Sequence, residues 1–247
     1  AFGGVVLINR KSTVYLAKKR DKIFFKIKVA PFFDSGLLKI FSKVILFPFL
    51  ILDRLRWLSE WYFLKKCSPP APHFIKQSLL LRHGINNSVW VETGTYLGQT
   101  TKFLSEHFSF VHSIEPSKKC LRIAKRNLRF SKNVALYNGT SELCFEEICS
   151  SLSGDICFWL DGHYSEGITF KGITDTPILF ELDTIKKYLE NFSNTVILID
   201  DIRSSHIDKY NYPPLSFYVN WADSVGMDWI IELDSFIIKS KGLPFYR

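Results

Sequence analysis

The chain has 247 residues, 47% of them hydrophobic, enough for one core of roughly 150–170 residues plus an appendage. Its five cysteines (Cys67, Cys120, Cys144, Cys149, Cys157) contain no C-x-x-C pair and are odd in number, which suggests no disulfide framework or zinc site and makes a reducing cytoplasm the expected setting. Residues 1–75 hold 14 Lys/Arg against 4 Asp/Glu (net +10), whereas residues 76–247 hold 18 against 20 (net −2). The second part is therefore expected to bind no nucleic acid.

The first part has two pieces. Val5–Ile8, Thr13–Lys18 and Lys22–Val29 read as short strands, with Arg20-Asp21 as a turn. The second piece spans residues 37–66. Its apolar run Val44–Leu52 is broken by Pro48 and is far shorter than the roughly 20 residues needed to cross a bilayer. Trp57, Trp61, Tyr62 and Phe63 stand beside Lys39, Lys43, Arg54, Arg56, Lys65 and Lys66. Two readings stay open. The segment lies on an anionic membrane surface, or it is a helical pair packed on the following domain or on a second copy in a homodimer. The proline-rich stretch Cys67–His73 is a linker that no helix would cross, so the parts divide as 1–75 and 76–247.

Val89–Thr101 (VWVETGTYLGQTT) is an apolar strand running into Glu92, then a turn spaced by Gly94 and Gly98, then a helix opening at Gln99. A strand that ends in glycines and feeds a helix N-terminus starts a nucleotide-binding α/β unit. Neither the dinucleotide spacing G-x-G-x-x-G nor the P-loop spacing is present. Phe110–Glu115 is a second strand ending in an acid, 23 residues after Glu92. A carboxylate there can take both hydroxyls of a ribose. Ser117–Phe130 has a helical apolar period, and Val134–Tyr137 is a third strand. The turn Gly139-Thr140-Ser141 could meet an adenine ring, and Ser141 begins a helix.

Further strands follow at Ile156–Leu160, Thr195–Ile199, Asp228–Glu232 and Ser235–Ser240, with helices at Thr176–Asn191 and Pro214–Ser224 between them. The alternation argues for a mostly parallel sheet covered on both faces, closed by a hairpin through Leu233-Asp234. Asp161, with His163 just beyond, and the pair Asp200-Asp201 fall after two strands, where ligands of open α/β sheets sit. Three aspartates suffice for Mg²⁺, which would lower the pKa of a substrate hydroxyl. The alternative is that Asp161 contacts only the cofactor and the pair caps the following loop. His163 is a candidate base or metal neighbour, against the commoner role of a hydrogen-bonded structural residue. His206 is a weaker candidate.

The acid followed by G-x-x-x-G resembles motif I of the class I S-adenosylmethionine-dependent methyltransferases. The run WLDGHYSEGITFKGITDTPILFEL with VILIDDIR is similar to a bacterial group of methyltransferase-like proteins. The acid placement resembles that of the macrocin and catechol O-methyltransferases. The loop after Asp161 departs from both. This resemblance covers about Val89 to Lys241. It implies an α/β, Rossmann-like seven-stranded methyltransferase sheet with an N-terminal appendage of short strands and helices. It implies S-adenosylmethionine held by Glu92, Gly94, Tyr96, Gly98, Thr100, Glu115, Gly139, Thr140, Ser141 and Asp161. It implies a catalytic set of Asp161, His163 and Asp200, and Mg²⁺ on Asp161, Asp200 and Asp201. The expected reaction is methyl transfer to a hydroxyl oxygen of a small molecule or sugar. The alternatives are N-methylation and a non-catalytic nucleotide-binding or tethering module.

Overall fold

The computed structural model describes residues 13–17, 24–28, 51–161, 176–206 and 212–245. The chain divides into two compact units, Ala1–Glu60 and Trp61–Arg247, so the division falls earlier than the boundary read from composition. In the first unit, β1 (Thr13–Ala17) pairs antiparallel with β2 (Phe24–Lys28). The expected strand Val5–Ile8 and the turn Arg20-Asp21 lie outside the described residues. Helix α1 is described over residues 51–59, and Ile51, Leu52, Leu55 and Trp57 on it are exposed. Among the described residues no helix is long and apolar enough to cross a membrane.

The second unit opens, after a π-helical turn at Glu60–Leu64, with α2 (His73–His83), which follows the proline-rich linker. Then come β3 (Val89–Thr93), α3 (Gln99–His107), β4 (Phe110–Ile114), α4 (Lys118–Asn127), β5 (Val134–Tyr137) and α5 (Ser141–Ser151). The chain continues through β6 (Gly154–Leu160), α6 (Ile178–Tyr188), β7 (Phe192–Ile199), α7 (Leu215–Ser224), β8 (Asp228–Glu232) and β9 (Ser235–Lys239). The strands lie in the order β5-β4-β3-β6-β7-β9-β8. All are parallel except β9, which runs antiparallel to both of its neighbours. The hairpin turn works because Leu233 and Asp234 both take positive φ (49° and 68°), the twist a two-residue turn needs. The sequence reading made the sixth helix longer. The chain instead tightens into a 3₁₀ turn at Leu189–Asn191, because β7 starts at Phe192, three residues before the expected Thr195.

Alternate residues of the central strands feed two cores. Val91, Phe158, Ile197 and Ile238 pack with Phe145 of α5, Leu182 of α6 and Tyr218 of α7 on one face. Trp90, Cys157, Trp159, Val196, Leu198 and Ile237 pack with Leu79 and Leu80 of α2 and Leu104 of α3 on the other. Period-2 apolar strands buried on both faces require helices on both. This leaves the carboxyl ends of β3, β4, β6 and β7 as the polar edge.

Candidate active site

Backbone hydrogen bonds just beyond the strands set that edge. Asp161 N donates to Thr93 O at 3.2 Å, Asp200 N to Leu160 O at 3.1 Å, and Glu115 N to Tyr137 O at 3.0 Å. The ladder therefore runs one residue past each strand and lines up the acids that the sequence placed at strand ends.

On one side stands the turn after β3. Gly94 takes φ 88°, a conformation that excludes most side chains, and its N–H donates to Ile114 O at 3.0 Å. Glu115 is 5% exposed. Its Oε2 accepts the Tyr96 N–H at 2.7 Å and its Oε1 the Ser117 N–H at 2.8 Å. Burial raises its carboxyl, and the two backbone N–H groups oppose that. Each oxygen keeps a second lone pair, which suits a vicinal diol. Tyr96 is exposed and takes φ 49°.

Glu92 lies beneath this turn, fully buried. Its Oε2 accepts Thr101 Oγ1 and Ser113 Oγ, both at 2.5 Å, while Oε1 is buried with no partner among the described residues. Burial pushes the carboxyl up to about 7, although the two hydroxyls pull it down. An orphaned carboxylate oxygen calls for a donor, and the ammonium of an amino-acid moiety is one. S-adenosylmethionine carries both a ribose diol and such an ammonium, so Glu115 and Glu92 fit it.

The other expected cofactor residues divide. Gly98 caps α3 at φ 79°, but the space a Cβ would need is filled by Leu128 and Ala124 at 3.0 and 3.3 Å. This glycine lets α3 and α4 pack together. At Gly139 a Cβ would meet Cys144 Sγ at 2.6 Å. Thr140 precedes α5 without a side-chain cap bond, and Ser141 Oγ donates to Glu181 Oε1 at 2.5 Å. Glu181, unforeseen in the sequence, is fully buried in the first turn of α6, and burial pushes it up to about 7. Thr100 Oγ1 meets His73 Nε2 of α2 at 3.1 Å.

On the other side lie Asp161, Asp200 and Asp201, each able to offer a ligand oxygen within 4.8 Å of the others. Among them sits a residue the sequence reading missed. Lys76, in the first turn of α2 and 124 residues from Asp200, places Nζ in contact with Asp200 Oδ2 and 3.4 Å from Asp201 Oδ1. Burial pulls its pKa down, but Asp200, Asp201 and Asp161 outweigh that and hold the ammonium above its ordinary value. Asp200 Oδ1 also accepts Ser235 Oγ at 3.3 Å. Asp201, at φ 56°, accepts Arg203 Nη1 at 2.8 Å, and Arg203 also pairs with Asp234. Two members of the trio, Asp200 and Asp201, are thus paired with cations of the chain itself. Mg²⁺ needs oxygens at about 2.1 Å in near-octahedral array, and Lys76 already lies against two of the three carboxylates. The expected metal set does not fit a divalent ion as the side chains stand. His163 lies outside the described residues, as does the side chain of His206.

A cavity of about 160 Å³ opens beside the trio, lined by Ala71, His73, Lys76, Gln77, Leu80, Thr100, Trp159, Asp161 and Asp200. No local motif announces α2 as its wall. Only the tertiary packing of Leu79 and Leu80 brings it there.

The strand order, with a single antiparallel strand in the sixth of seven positions, is that of the class I methyltransferase fold. No protein-family model matches the chain. Among curated proteins, 74 residues are 36% identical to the bifunctional purine biosynthesis protein PurH of Lactobacillus acidophilus, covering 30% of this chain and 13% of that protein. Similar solved structures include a Streptococcus mutans protein described as a candidate methyltransferase, in complex with S-adenosylhomocysteine (18% identity, 70% of this chain and 98% of that one, TM-score 0.45). They also include an rRNA methylase of Streptococcus thermophilus (14% identity, 70% and 96%, TM-score 0.41). A third is the 23S rRNA methyltransferase ErmE (11% identity, 71% of each chain, TM-score 0.44). At such identities and scores these likenesses assign no activity to this chain.

They do overturn one expectation. Two of the three similar proteins are rRNA methylases, so the exclusion of nucleic acid from this domain does not stand. Its physical fault is that net charge sums over every face. Helix α4 and the residues just after it carry exposed Lys118, Lys119, Arg122, Lys125, Arg126 and Arg129. A net of −2 hides that basic stripe.

Proposed function

We propose that the protein transfers a methyl group from S-adenosylmethionine to an oxygen acceptor seated in the cavity under α2. The observation that carries this reading is Glu115. It is a strand-end carboxylate with both oxygens aimed by backbone N–H groups, one of them from the glycine turn. S-adenosylmethionine, when bound, supplies an electrophilic methyl carbon. Glu115 would hold its ribose hydroxyls, and Glu92 would face its ammonium from below. The chain then has to orient the acceptor in line with the methyl group, and such positioning supplies much of a rate enhancement. His73, Gln77 and Thr100 line the cavity with groups able to hydrogen-bond a polyhydroxy acceptor. Asp161, half-buried at its edge, would take the acceptor's hydroxyl proton. A hydroxyl of a sugar or of a similarly small group suits a cavity of about 160 Å³.

Isothermal titration of the full chain with S-adenosylhomocysteine tests the donor step, and saturable 1:1 binding is expected. Binding of NAD with none of S-adenosylhomocysteine would overturn the reading.

A further inference from the structure

We propose that Lys76 is the resident cation of the acceptor pocket, its ammonium standing where a divalent metal would otherwise bridge Asp161, Asp200 and Asp201. The acceptor role of the pocket rests on the methyl-transfer reading. The cation assignment rests on geometry alone.

Three carboxylates crowded at two adjacent strand ends repel one another and must be compensated. Asp200 has a side chain only 2% exposed, and water cannot do it there. Lys76 supplies the charge from α2, with a side chain 15% exposed. Two partners take two of its N–H groups, Asp200 and Asp201. An ammonium has three, so among the described residues one remains for the cavity that Lys76 lines. That N–H points the pocket toward an oxygen acceptor, which can receive it, and away from a protonated amine, which cannot.

The mounting is rigid. Leu79 and Leu80, on the same helix, are buried in the core beneath the sheet. His73 ties the start of the helix to Thr100 of α3. The lysine is therefore held in place by packing, as a metal would be held by its ligands. Arg203 bonds Asp201 directly and is itself paired with Asp234. A divalent ion would have to expel the ammonium and share the space with that guanidinium.

The test is Mn²⁺ binding, followed by the electron paramagnetic resonance signal of the free ion and by melting temperature. Wild type should leave the signal unchanged up to millimolar protein. Lys76→Met should gain saturable Mn²⁺ binding at least tenfold tighter than wild type, with Mn²⁺ raising its melting temperature. Asp200→Asn added to it should abolish the gain. Lys76→Arg, which keeps the charge, should show none. S-adenosylhomocysteine titration and circular dichroism on each variant report folding separately. If Lys76→Met does not fold, Lys76→Gln takes its place. Micromolar Mn²⁺ binding by wild type that Asp200→Asn removes would overturn the proposal, as would a folded Lys76→Met that ignores Mn²⁺. Failure of wild type to bind S-adenosylhomocysteine would instead sink the methyl-transfer reading and leave the Mn²⁺ result interpretable.

Discussion

The two halves of the polar edge use carboxylates in opposite ways. At the ends of β3 and β4, Glu92 and Glu115 are met by hydroxyls and backbone N–H groups, with no side-chain cation in contact among the described residues. At the ends of β6 and β7, Asp200 and Asp201 are met by Lys76 and Arg203. The first half is electrostatically unfinished, with a buried oxygen on Glu92 lacking a partner among the described residues. In the second, Asp200 and Asp201 already hold cations. On the methyl-transfer reading, a cationic donor would belong to the first half and the acceptor to the second.

The largest effects should separate the halves by what they damage. Asp200→Ala leaves the largely buried Lys76 ammonium with Asp201 alone, so the loss should fall below the about 3–5 kcal/mol of a buried pair broken outright. Chemical denaturation should show that loss of stability. Glu115→Ala removes a group argued to receive two hydroxyls, each such bond to a charged acceptor being worth about 1.5–3 kcal/mol. Affinity for S-adenosylhomocysteine should fall by roughly 100-fold or more by calorimetry, with a smaller change in stability. Equal damage to stability in both variants, with donor affinity intact in Glu115→Ala, would erase the distinction between the halves.

The halves also differed in how far the sequence revealed them. The donor half is local. The apolar strand, the glycines and the acid 23 residues on lie within one β-α-β unit, so spacing alone placed Glu92 and Glu115 correctly at strand ends. The acceptor half is assembled across the chain. Asp161 and Asp200 were legible as strand-end acids, but Lys76 was not, because nothing in HFIKQSLLLRH ties one lysine to a strand over a hundred residues away. The metal expectation followed from that omission, since three acids without their lysine look like a cation site. Glu181 was missed for a similar reason, since an acid in the first turn of a helix reads as a dipole partner until the fold buries it. Gly98 was legible as a turn glycine, but its packing against Leu128 and Ala124 was not.

That packing yields a smaller prediction. Gly98→Ala puts a side chain at φ 79° and 3.0 Å from Leu128, so about 1–2 kcal/mol of stability should be lost. If Gly98 serves helix packing, the folded fraction should bind S-adenosylhomocysteine as wild type does. A hundredfold loss of affinity without loss of stability would return Gly98 to the ligand pocket.

The smallest effect tests the unfinished charge of the donor half. Glu92 in the free protein titrates at about 7, against an ordinary value of 4.5, because burial favours its neutral form. Its contribution to stability is therefore complete below about pH 4.5 and is lost as pH rises through about 7. Donor binding should run the other way. An ammonium beside Glu92 favours the carboxylate, so below pH 7 the protein must release a proton on binding. Affinity for S-adenosylhomocysteine should then rise about tenfold from pH 6 to pH 8 and level off beyond. Calorimetry in buffers of different ionisation enthalpy should detect the released proton at pH 6. Glu92→Gln keeps the hydrogen-bonding shape and removes the titration, so its affinity should be flat across the same range. Glu181→Gln, the control for the other carboxyl near 7, should keep the wild-type slope. A slope that survives Glu92→Gln would place the bound ammonium elsewhere on the edge.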